Sequence, residues 1–350
     1  MVRFAIFSVI AFIVAYGLYV YPGLALISLF FGTNILDAWA LAPTLLVFLL
    51  LRLYLATDTT NSILKAFVYY GMGIGFLSAL VVSVLVIVKE TSGADGTMLG
   101  IIAVLAIAML VGYSVFNANR IVHRELTFSS EKIGRPTRFA FISDVHIGSN
   151  PPRHLQKICD ELDACEIEAL FIGGDLFDSS DFQLEDIENL RTLETDIYFV
   201  TGNHEGYVKG HEALLGRFTD LNIRVLDNEA ADLGDVRVIG VADKQPSTAR
   251  VTVIESLHSE IRYNIALVHQ PSIWRRTEAE IDLMLCGHTH NGQIFPFNLL
   301  VRLQFRHNYG QYRHGMSNLY LSSGVGCWGP RLRLGSRNEI VTINLEPAPL

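Results

Sequence analysis

The sequence contains few cysteines and, over its first third, few charged residues. Its four cysteines show no CxxC spacing, which argues against a disulfide framework and favours buried, reduced thiols. Charged residues make up 18% of the chain, whereas 50% of the residues are apolar. This balance excludes a protein that is soluble throughout its length.

The apolar excess lies at the N-terminal end. Four long runs with few or no charges occur there, namely residues 4–20, 38–55, 66–88 and 98–117. Each is close to the ~20 residues that a helix needs to cross a bilayer, so we predict four transmembrane helices within residues 1–117. Residues 24–31 are too short to span alone and are interfacial, re-entrant or an early start of the second span. A cleaved signal peptide is the alternative for residues 1–20, but three further spans follow it.

The basic residues outside these runs predict the orientation of the helices. With four crossings, five basic residues fall on one side of the membrane: Arg3, Arg52, Lys65, Arg120 and Arg124. The opposite side has only Lys89. We therefore expect a multi-pass protein of the inner membrane, with its N-terminus and everything after residue 120 in the cytoplasm.

From about residue 136, short apolar runs alternate with segments of helical period. Eight runs have the pattern of buried strands: residues 138–144, 168–175, 196–203, 236–243, 263–270, 281–288, 318–324 and 339–345. Strands that alternate with helices predict an α/β layered domain over residues 136–350. Residues 118–135 are predicted to be the linker between the two parts.

Metal-binding residue types follow the predicted strands at five separate places. They are Asp144 with His146, Asp175 with Asp178, Asn203 with His204, His269 alone, and His288 with His290. Each pair alone is more often a turn than a ligand, but five in register with strand ends are hard to obtain by chance. Imidazole, carboxylate and amide oxygen together suit Mn, Fe, Co, Ni or Zn. A pair of such ions ~3.5–4 Å apart needs a bridging carboxylate, and glycines 174, 202 and 287 would permit the close backbone approach.

The order D-x-H, G-D-x-x-D, G-N-H-E, a lone H and G-H-x-H resembles the calcineurin-like metallophosphoesterase superfamily over residues 136–346. The resemblance implies a four-layer α/β/β/α sandwich and two divalent metal ions, of which manganese is the first expectation and Fe, Zn, Co or Ni the alternatives. It also implies a ligand set. Asp144, His146 and His290 would bind the first metal; Asn203, His269 and His288 would bind the second, and Asp175 would bridge them.

The same resemblance implies a mechanism in which the ions ionise a water that attacks phosphorus. His204, oriented by Asp178, would protonate the leaving oxygen. The alternative role of His204 is to donate a hydrogen bond to a substrate oxygen without transferring a proton.

The stretches "GHTHNGQIFPF" and "SSGVGCWGPRLRLGSRNEI" resemble a bacterial, membrane-attached branch of the family. That branch includes hydrolases similar to UDP-2,3-diacylglucosamine pyrophosphatases. It usually has glycine where this chain has Asn291, and asparagine is among the better tolerated residues at positive φ.

Arginines interleaved with aromatic residues lie downstream of the last histidine motif. Four of them are candidate substrate-binding residues: Arg302, Arg306, Arg331 and Arg333. Such a mixture suits anionic headgroups or a phosphate-rich ligand, and an ordinary solvated loop is the alternative.

The predicted function is therefore membrane-anchored, metal-dependent hydrolysis of a phosphodiester or pyrophosphate bond, on a lipid-linked or nucleotide-linked substrate. The alternatives are a phosphomonoesterase or cyclic-nucleotide phosphodiesterase that acts on a soluble substrate, and a non-catalytic membrane scaffold. The net charge of −8 argues against nucleic acid as a partner, so membrane lipids and a phosphoester are the expected ones.

Overall fold

A computed structural model describes residues 2–33, 38–56 and 61–349. The chain divides into two compact units, Met1–Val115 and Phe116–Leu350. The helices of the N-terminal unit are α1 (Val2–Val14), continued by a π-helical segment (Ala15–Val20) and by α2 (Tyr21–Phe31), and then α3 (Leu41–Ala56), α4 (Ser62–Ser92) and α5 (Gly96–Ala118).

Within the described ranges, three helices are long and apolar enough to cross a membrane. They are Ile6–Phe31, Ser62–Ser92 and Gly96–Ala118, with 26, 31 and 23 residues. Their apolar side chains are largely exposed, as expected for helices whose solvent is lipid. The prediction of long apolar helices at the N-terminal end is confirmed.

Two details of the four-span prediction differ in the structure. The second predicted span corresponds to α3, whose 16 residues reach only about 24 Å at ~1.5 Å per residue. Residues 24–31 belong to the C-terminal end of the first long helix and form no separate segment. The backbone continues as a helix from residue 2 to residue 31, across the break between the two apolar runs.

The glycines of α4 permit close helix packing. A Cβ atom on Gly75 would lie 1.9 Å from the carbonyl oxygen of Leu18, and one on Gly71 would lie 2.2 Å from the Tyr19 ring. Small residues therefore let the backbone of the first long helix approach α4 directly.

The C-terminal unit contains two six-stranded sheets. In spatial order, the first sheet consists of β1 (Ile121–Ser130), β12 (Asn338–Pro347), β2 (Thr137–Ile142), β3 (Ala169–Ile172), β4 (Asp196–Phe199) and β5 (Ile223–Val225). The second consists of β10 (Gly310–His314), β11 (Ser317–Leu321), β9 (Leu283–Cys286), β8 (Tyr263–Val268), β7 (Val236–Val241) and β6 (Glu229–Leu233). The helices of this unit are α6 (Pro152–Asp163), α7 (His211–Leu215), α8 (Ser247–Leu257) and α9 (Phe297–Gln304).

Apolar side chains of both sheets pack against each other in one buried cluster, which includes Phe139, Phe171, Ile265 and Leu285. Helix α6 covers the outer face of the first sheet. It buries Leu155, Ile158 and Leu162, which form the apolar stripe expected at helical spacing. Helix α8 and the segment Pro271–Arg276 contribute to a third cluster with the outer residues of the second sheet.

All eight predicted strands are present, and the predicted α/β domain is therefore confirmed. Strands β2, β3 and β4 run parallel, as do β7, β8 and β9, so the loops after their carboxyl ends lie along one edge of each sheet. The predicted linker differs from the structure. Residues 121–130 form β1, an edge strand that pairs in parallel with β12. Its central His123, Arg124 and Glu125 are exposed, which hides the apolar alternation of a strand.

Candidate metal centre

The loops at the carboxyl ends of the strands bring the predicted ligands together under backbone strain. Asp144, His146, Asp175, His288 and His290 all have positive φ angles, between 50° and 76°. Residues other than glycine adopt this conformation rarely, and it persists only where the surroundings determine it. Its concentration in five candidate ligands indicates that the loops are shaped to aim these side chains.

Glycines let loops approach closely, within the first sheet at Gly202 and between the two sheets at Gly287. A Cβ atom on Gly202 would lie 2.2 Å from Asp175 Oδ1, and one on Gly287 would lie 2.3 Å from Asp144 Oδ2. The carboxylates therefore occupy the space that a side chain would fill. The predicted close backbone approach at these glycines is confirmed.

One group of candidate ligands consists of Asp144, His146 and His290, all buried. His146 Nε2 and His290 Nε2 lie 3.0 Å apart, and His290 Nε2 lies 3.5 Å from Asp144 Oδ1. Burial lowers the pKa of His290, and the neighbouring His146 and Arg333 lower it further. The His290 ring is therefore neutral, which is the form that binds a metal.

The second group consists of Asp175, His269 and His288, with Asn203 beside them. Asn203 Oδ1 lies 2.8 Å from His288 Nδ1 and 3.2 Å from His269 Nε2. Burial lowers the pKa of His288 to about 4, with a further contribution from His269. Burial also opposes the charge on His269, yet the adjacent Asp175 carboxylate raises the pKa of this ring to about 10.

Asp175 lies between the two groups. Its Oδ2 atom is 3.1 Å from His269 Nε2 in the second group and 3.7 Å from His146 Nε2 in the first. Burial disfavours the charge of this carboxylate, but His269 and His146 together lower its pKa, so Asp175 is ionised. A single carboxylate thus faces the imidazoles of both groups.

The chemistry of this donor set fits divalent cations. Three carboxylate or imidazole groups in each cluster offer atoms within 4.8 Å of one another. The facing nitrogens of His146 and His290, 3.0 Å apart, would compete for a single proton, whereas each could donate its lone pair to a cation. Imidazole nitrogen combined with carboxylate oxygen is typical of Mn, Fe, Co, Ni and Zn sites.

His204 and Asp178 both lie beside this centre but contact different partners. The backbone N–H of His204 donates to Asp175 Oδ1 at 2.9 Å, and its ring packs edge-on against His146 with centroids 4.7 Å apart. Asp178 Oδ2 lies 3.2 Å from His146 Nδ1 and accepts a hydrogen bond from the Ser149 hydroxyl. The carboxylate expected to orient His204 therefore contacts the ring of His146 and the hydroxyl of Ser149.

Glu205 is a site residue that the sequence reasoning missed. Its fully buried carboxylate accepts four backbone hydrogen bonds, from the N–H groups of Asp175, Leu176, Phe177 and Gly202, at 2.6–3.2 Å. Burial raises the pKa of Glu205 to about 7, and the nearby Asp175 adds to this. Through these hydrogen bonds Glu205 connects the loop after β3 to the loop after β4. Its only signal in the sequence was the last letter of "GNHE".

The four candidate substrate arginines are separated in the structure. Arg302 and Arg306 are exposed, on and just after α9. Arg331 donates a hydrogen bond to Asn119 Oδ1 at 3.0 Å. Arg333 is fully buried and donates to the His290 carbonyl oxygen at 3.1 Å, so it lies behind a candidate ligand.

Comparisons with known proteins agree with this geometry. The family model described as calcineurin-like phosphoesterase matches residues 137–292. A Helicobacter pylori (strain ATCC 700392 / 26695) protein named uncharacterized metallophosphoesterase is 33% identical over 237 residues, covering 64% of this chain and 64% of that protein. A Bos taurus transmembrane protein with metallophosphoesterase domain is 31% identical over 237 residues, covering 61% of this chain and 53% of that protein.

A third relative, an uncharacterized metallophosphoesterase of Aquifex aeolicus (strain VF5), is 27% identical over 260 residues, covering 69% of this chain and 98% of that protein. The chain spans less than two thirds of the length of the first two relatives. It contains a calcineurin-like metallophosphoesterase domain, and the residue groups of the site could hold divalent metal ions.

Proposed function

We propose that this protein is a membrane-tethered, metal-dependent phosphoesterase that hydrolyses a phosphodiester or pyrophosphate bond of a lipid-linked or nucleotide-linked substrate. The position of Asp175 carries this proposal. Its Oδ2 atom lies within 3.7 Å of imidazoles from both ligand groups, as a carboxylate shared by two cations requires. The sandwich that supports the site would have the four-layer α/β/β/α arrangement, with α6 and α8 as the outer layers.

The ligand assignment follows from the two groups. Asp144, His146 and His290 would hold one ion; Asn203, His269 and His288 would hold the other; Asp175 would contribute to both. Manganese is our first expectation, with Fe, Zn, Co or Ni as alternatives. When bound, two such ions supply positive charge that activates water and neutralises the oxygens of the phosphate.

His204 is proposed to act on the leaving group. Its side chain is 15% exposed, whereas those of His146 and His269 are 0% exposed. A substrate can therefore reach the His204 ring without displacing a ligand. We assign His204 as the general acid at the leaving oxygen, and we assign Asp178 to orient His146 through Nδ1.

Hydrolysis of two synthetic substrates tests this function. The full-length protein in lipid nanodiscs with Mn²⁺ should hydrolyse bis-p-nitrophenyl phosphate with a higher kcat/KM than p-nitrophenyl phosphate. Asp175→Asn should abolish this activity, whereas Asp181→Asn, at an exposed site, should retain it. Equal rates for Asp175→Asn and the unsubstituted protein would contradict the proposal. A preference for the monoester would favour a phosphomonoesterase, and inactivity on both esters with metals bound would favour a scaffold.

The orientation is also a proposal. We infer that α3 is a fourth crossing, that the phosphoesterase domain faces the cytoplasm and that the α4–α5 connection faces the opposite side. With four crossings, five of the six basic residues in or near the ends of the helices fall on the domain's side. In a Cys165→Ser background, Asp95→Cys should react with a membrane-impermeant maleimide in intact cells. Ile261→Cys should react only after the cells are opened, and the reverse pattern would exclude a cytoplasmic domain.

A further inference from the structure

Helix α9 (Phe297–Gln304) turns its apolar side away from the protein. At about 100° per residue, Leu300 and Leu303 lie on the side opposite Asn298. Asn298 is buried, whereas Leu300 and Leu303 are exposed, the latter at 85%. A helix on a globular surface normally buries its leucines and exposes its amides. The reversed arrangement indicates that α9 meets an apolar surface outside its own domain.

Neighbouring side chains extend this exposed apolar surface and add positive charge. Phe295 and Phe297 are exposed just before and at the start of the helix, and Trp328 is exposed on a nearby loop. Gln293 connects that loop to the start of this segment, because its side chain bonds the backbone N–H and carbonyl of Trp328. Arg302 and Arg306 are exposed on and beside the helix. Aromatic and basic residues around leucines are typical of a surface that meets lipid headgroups.

The apolar surface lies near the point where the chain enters this unit. Asn117, at the C-terminal end of α5, donates a hydrogen bond to the carbonyl oxygen of Arg333. The next residue, Leu334, accepts a hydrogen bond from the backbone N–H of Phe295 at 2.8 Å. One side-chain hydrogen bond and one backbone hydrogen bond thus connect Asn117 to the segment that precedes α9. Because α5 is apolar and long enough to cross a bilayer, the last residues of a membrane helix, Asn117 and Ala118, belong to the same compact unit as α9.

We propose that α9, with Phe295 and Trp328, docks into the headgroup region of the anionic bilayer in which the N-terminal helices are embedded. The leucines would be buried in the acyl boundary, and Arg302 and Arg306 would contact anionic headgroups. We identify the bilayer as the surface that α9 meets for two reasons. The headgroup region begins where the membrane helix α5 ends, and the exposed charges of Arg302 and Arg306 are positive.

Docking would also place the metal centre at the membrane surface. The Phe305 ring, directly after α9, packs edge-on against His288 with centroids 5.4 Å apart. The Thr289 hydroxyl donates to the Asn308 carbonyl oxygen in the same segment. A phosphoester in the membrane could then reach the site. This consequence rests on the proposed function, whereas the docking itself does not.

A depth measurement tests the docking without any use of catalysis. A spin label on Leu303→Cys, in a Cys165→Ser background, is compared with one on Ile261→Cys in the full-length protein. Both positions are similarly exposed, at 85% and 78%. Ile261 precedes β8 and His269 follows it, so the control lies about 20 Å from the site end at ~3.3 Å per residue. The protein is reconstituted into vesicles of phosphatidylethanolamine and phosphatidylglycerol.

The label at position 303 should collide more often with oxygen, which concentrates in the bilayer, than with a water-soluble nickel chelate. The label at position 261 should show the opposite preference. Equal, water-like behaviour at both positions would overturn the proposal. Shielding of position 303 from both reagents would indicate a protein partner instead. If the label at position 303 is shielded in vesicles that hold several copies but not in single-copy nanodiscs, the partner is a second copy of this chain. Either kind of shielding would exclude docking on lipid.

An activity arm separates docking from catalysis. Leu303→Glu should lower the hydrolysis rate of a phosphodiester lipid in vesicles at least about tenfold relative to that of soluble bis-p-nitrophenyl phosphate. Loss of a leucine buried in the bilayer weakens membrane binding by about this factor. Met316→Glu, 81% exposed on the β10–β11 turn, should leave the ratio unchanged. Bilayer-like collisions at position 303 in a protein without activity would reject the proposed function and retain the docking. An unchanged ratio for Leu303→Glu would overturn the delivery of substrate by α9.

Discussion

The guanidinium of Arg333 lies directly behind the imidazole of His290. Arg333 Nη1 donates to the His290 carbonyl oxygen at 3.1 Å, and Nη2 lies 3.3 Å from the ring atom Nδ1. The other ring nitrogen, Nε2, points toward His146 and Asp144. Arg333 therefore holds the backbone of a candidate ligand in place. Burial lowers the pKa of the His290 ring, and His146 and the charge of Arg333 lower it further.

We expect Arg333→Met to weaken metal binding at the group that contains His290. Removal of a residue that orients a ligand typically lowers metal affinity ~10–100-fold. Equilibrium dialysis against Mn²⁺ measures this loss, with Arg302→Met as a control at an exposed position. Arg333→Lys keeps the charge without the two-pronged donor and should bind with intermediate affinity. Wild-type affinity in Arg333→Met would contradict the assigned role.

His204→Ala should retain both metal ions and lose turnover ~10²–10⁴-fold, the usual contribution of a general acid. Burial lowers the pKa of His204 below its ordinary value of 6.5. An acid must be protonated, so kcat/KM should fall as the pH rises through this lowered pKa, and the variant should lack that decline. His211→Ala serves as the control outside the site. A decline that persists in His204→Ala would assign this histidine to hydrogen bonding alone.

Glu205→Ala should destabilise the domain strongly. The substitution leaves four buried backbone N–H groups without their acceptor, and each such group costs ~1–3 kcal/mol. We expect a loss of at least about 3 kcal/mol in the free energy of unfolding, because partial relaxation recovers some of the sum. Denaturant unfolding measures it, with exposed Glu212→Ala as the matched control. A difference below ~1 kcal/mol between the two variants would show that the carboxylate does not hold the loops together.

Metal binding should release a proton at neutral pH. Beside Asp175 the pKa of His269 is raised to about 10, so its ring holds a proton at every lower pH. A bound cation must displace that proton, and metal affinity should therefore increase with pH up to this value. Calorimetric titration with Mn²⁺ in two buffers of different ionisation enthalpy measures the release. Identical heats in both buffers would mean that His269 is already neutral.

Asn291→Gly should cost about 1–3 kcal/mol, because it removes the acceptor of the buried Asn308 amide, although glycine adopts the φ of 49° freely. Asn291→Val should cost more, since a β-branched side chain is strained there. Thermal unfolding of the two variants gives the comparison. Equal melting temperatures would show that the backbone angle is not what selects asparagine at this position.

The pattern of the sequence was sufficient for the strands and for the position of the ligands along the chain. A parallel strand that is buried on both sides is typically a continuous apolar run, as "LMLC" before His288 is. Polar residues can begin only where the run ends, so the candidate ligands stand out at the strand ends. Edge strand β1 was predicted as part of the linker because its exposed side chains are polar.

The sequence by itself therefore determined the apolar N-terminal helices, the α/β alternation and the set of metal-binding residue types. The tertiary structure decided which side chains face which: Asp178 against His146, Arg333 behind His290, and Glu205 beneath Asp175. It also decided that the leucines of α9 point outward. The physical reason is that local periodicity specifies which residues share a face, whereas only the packed chain determines whether that face meets protein, water or lipid.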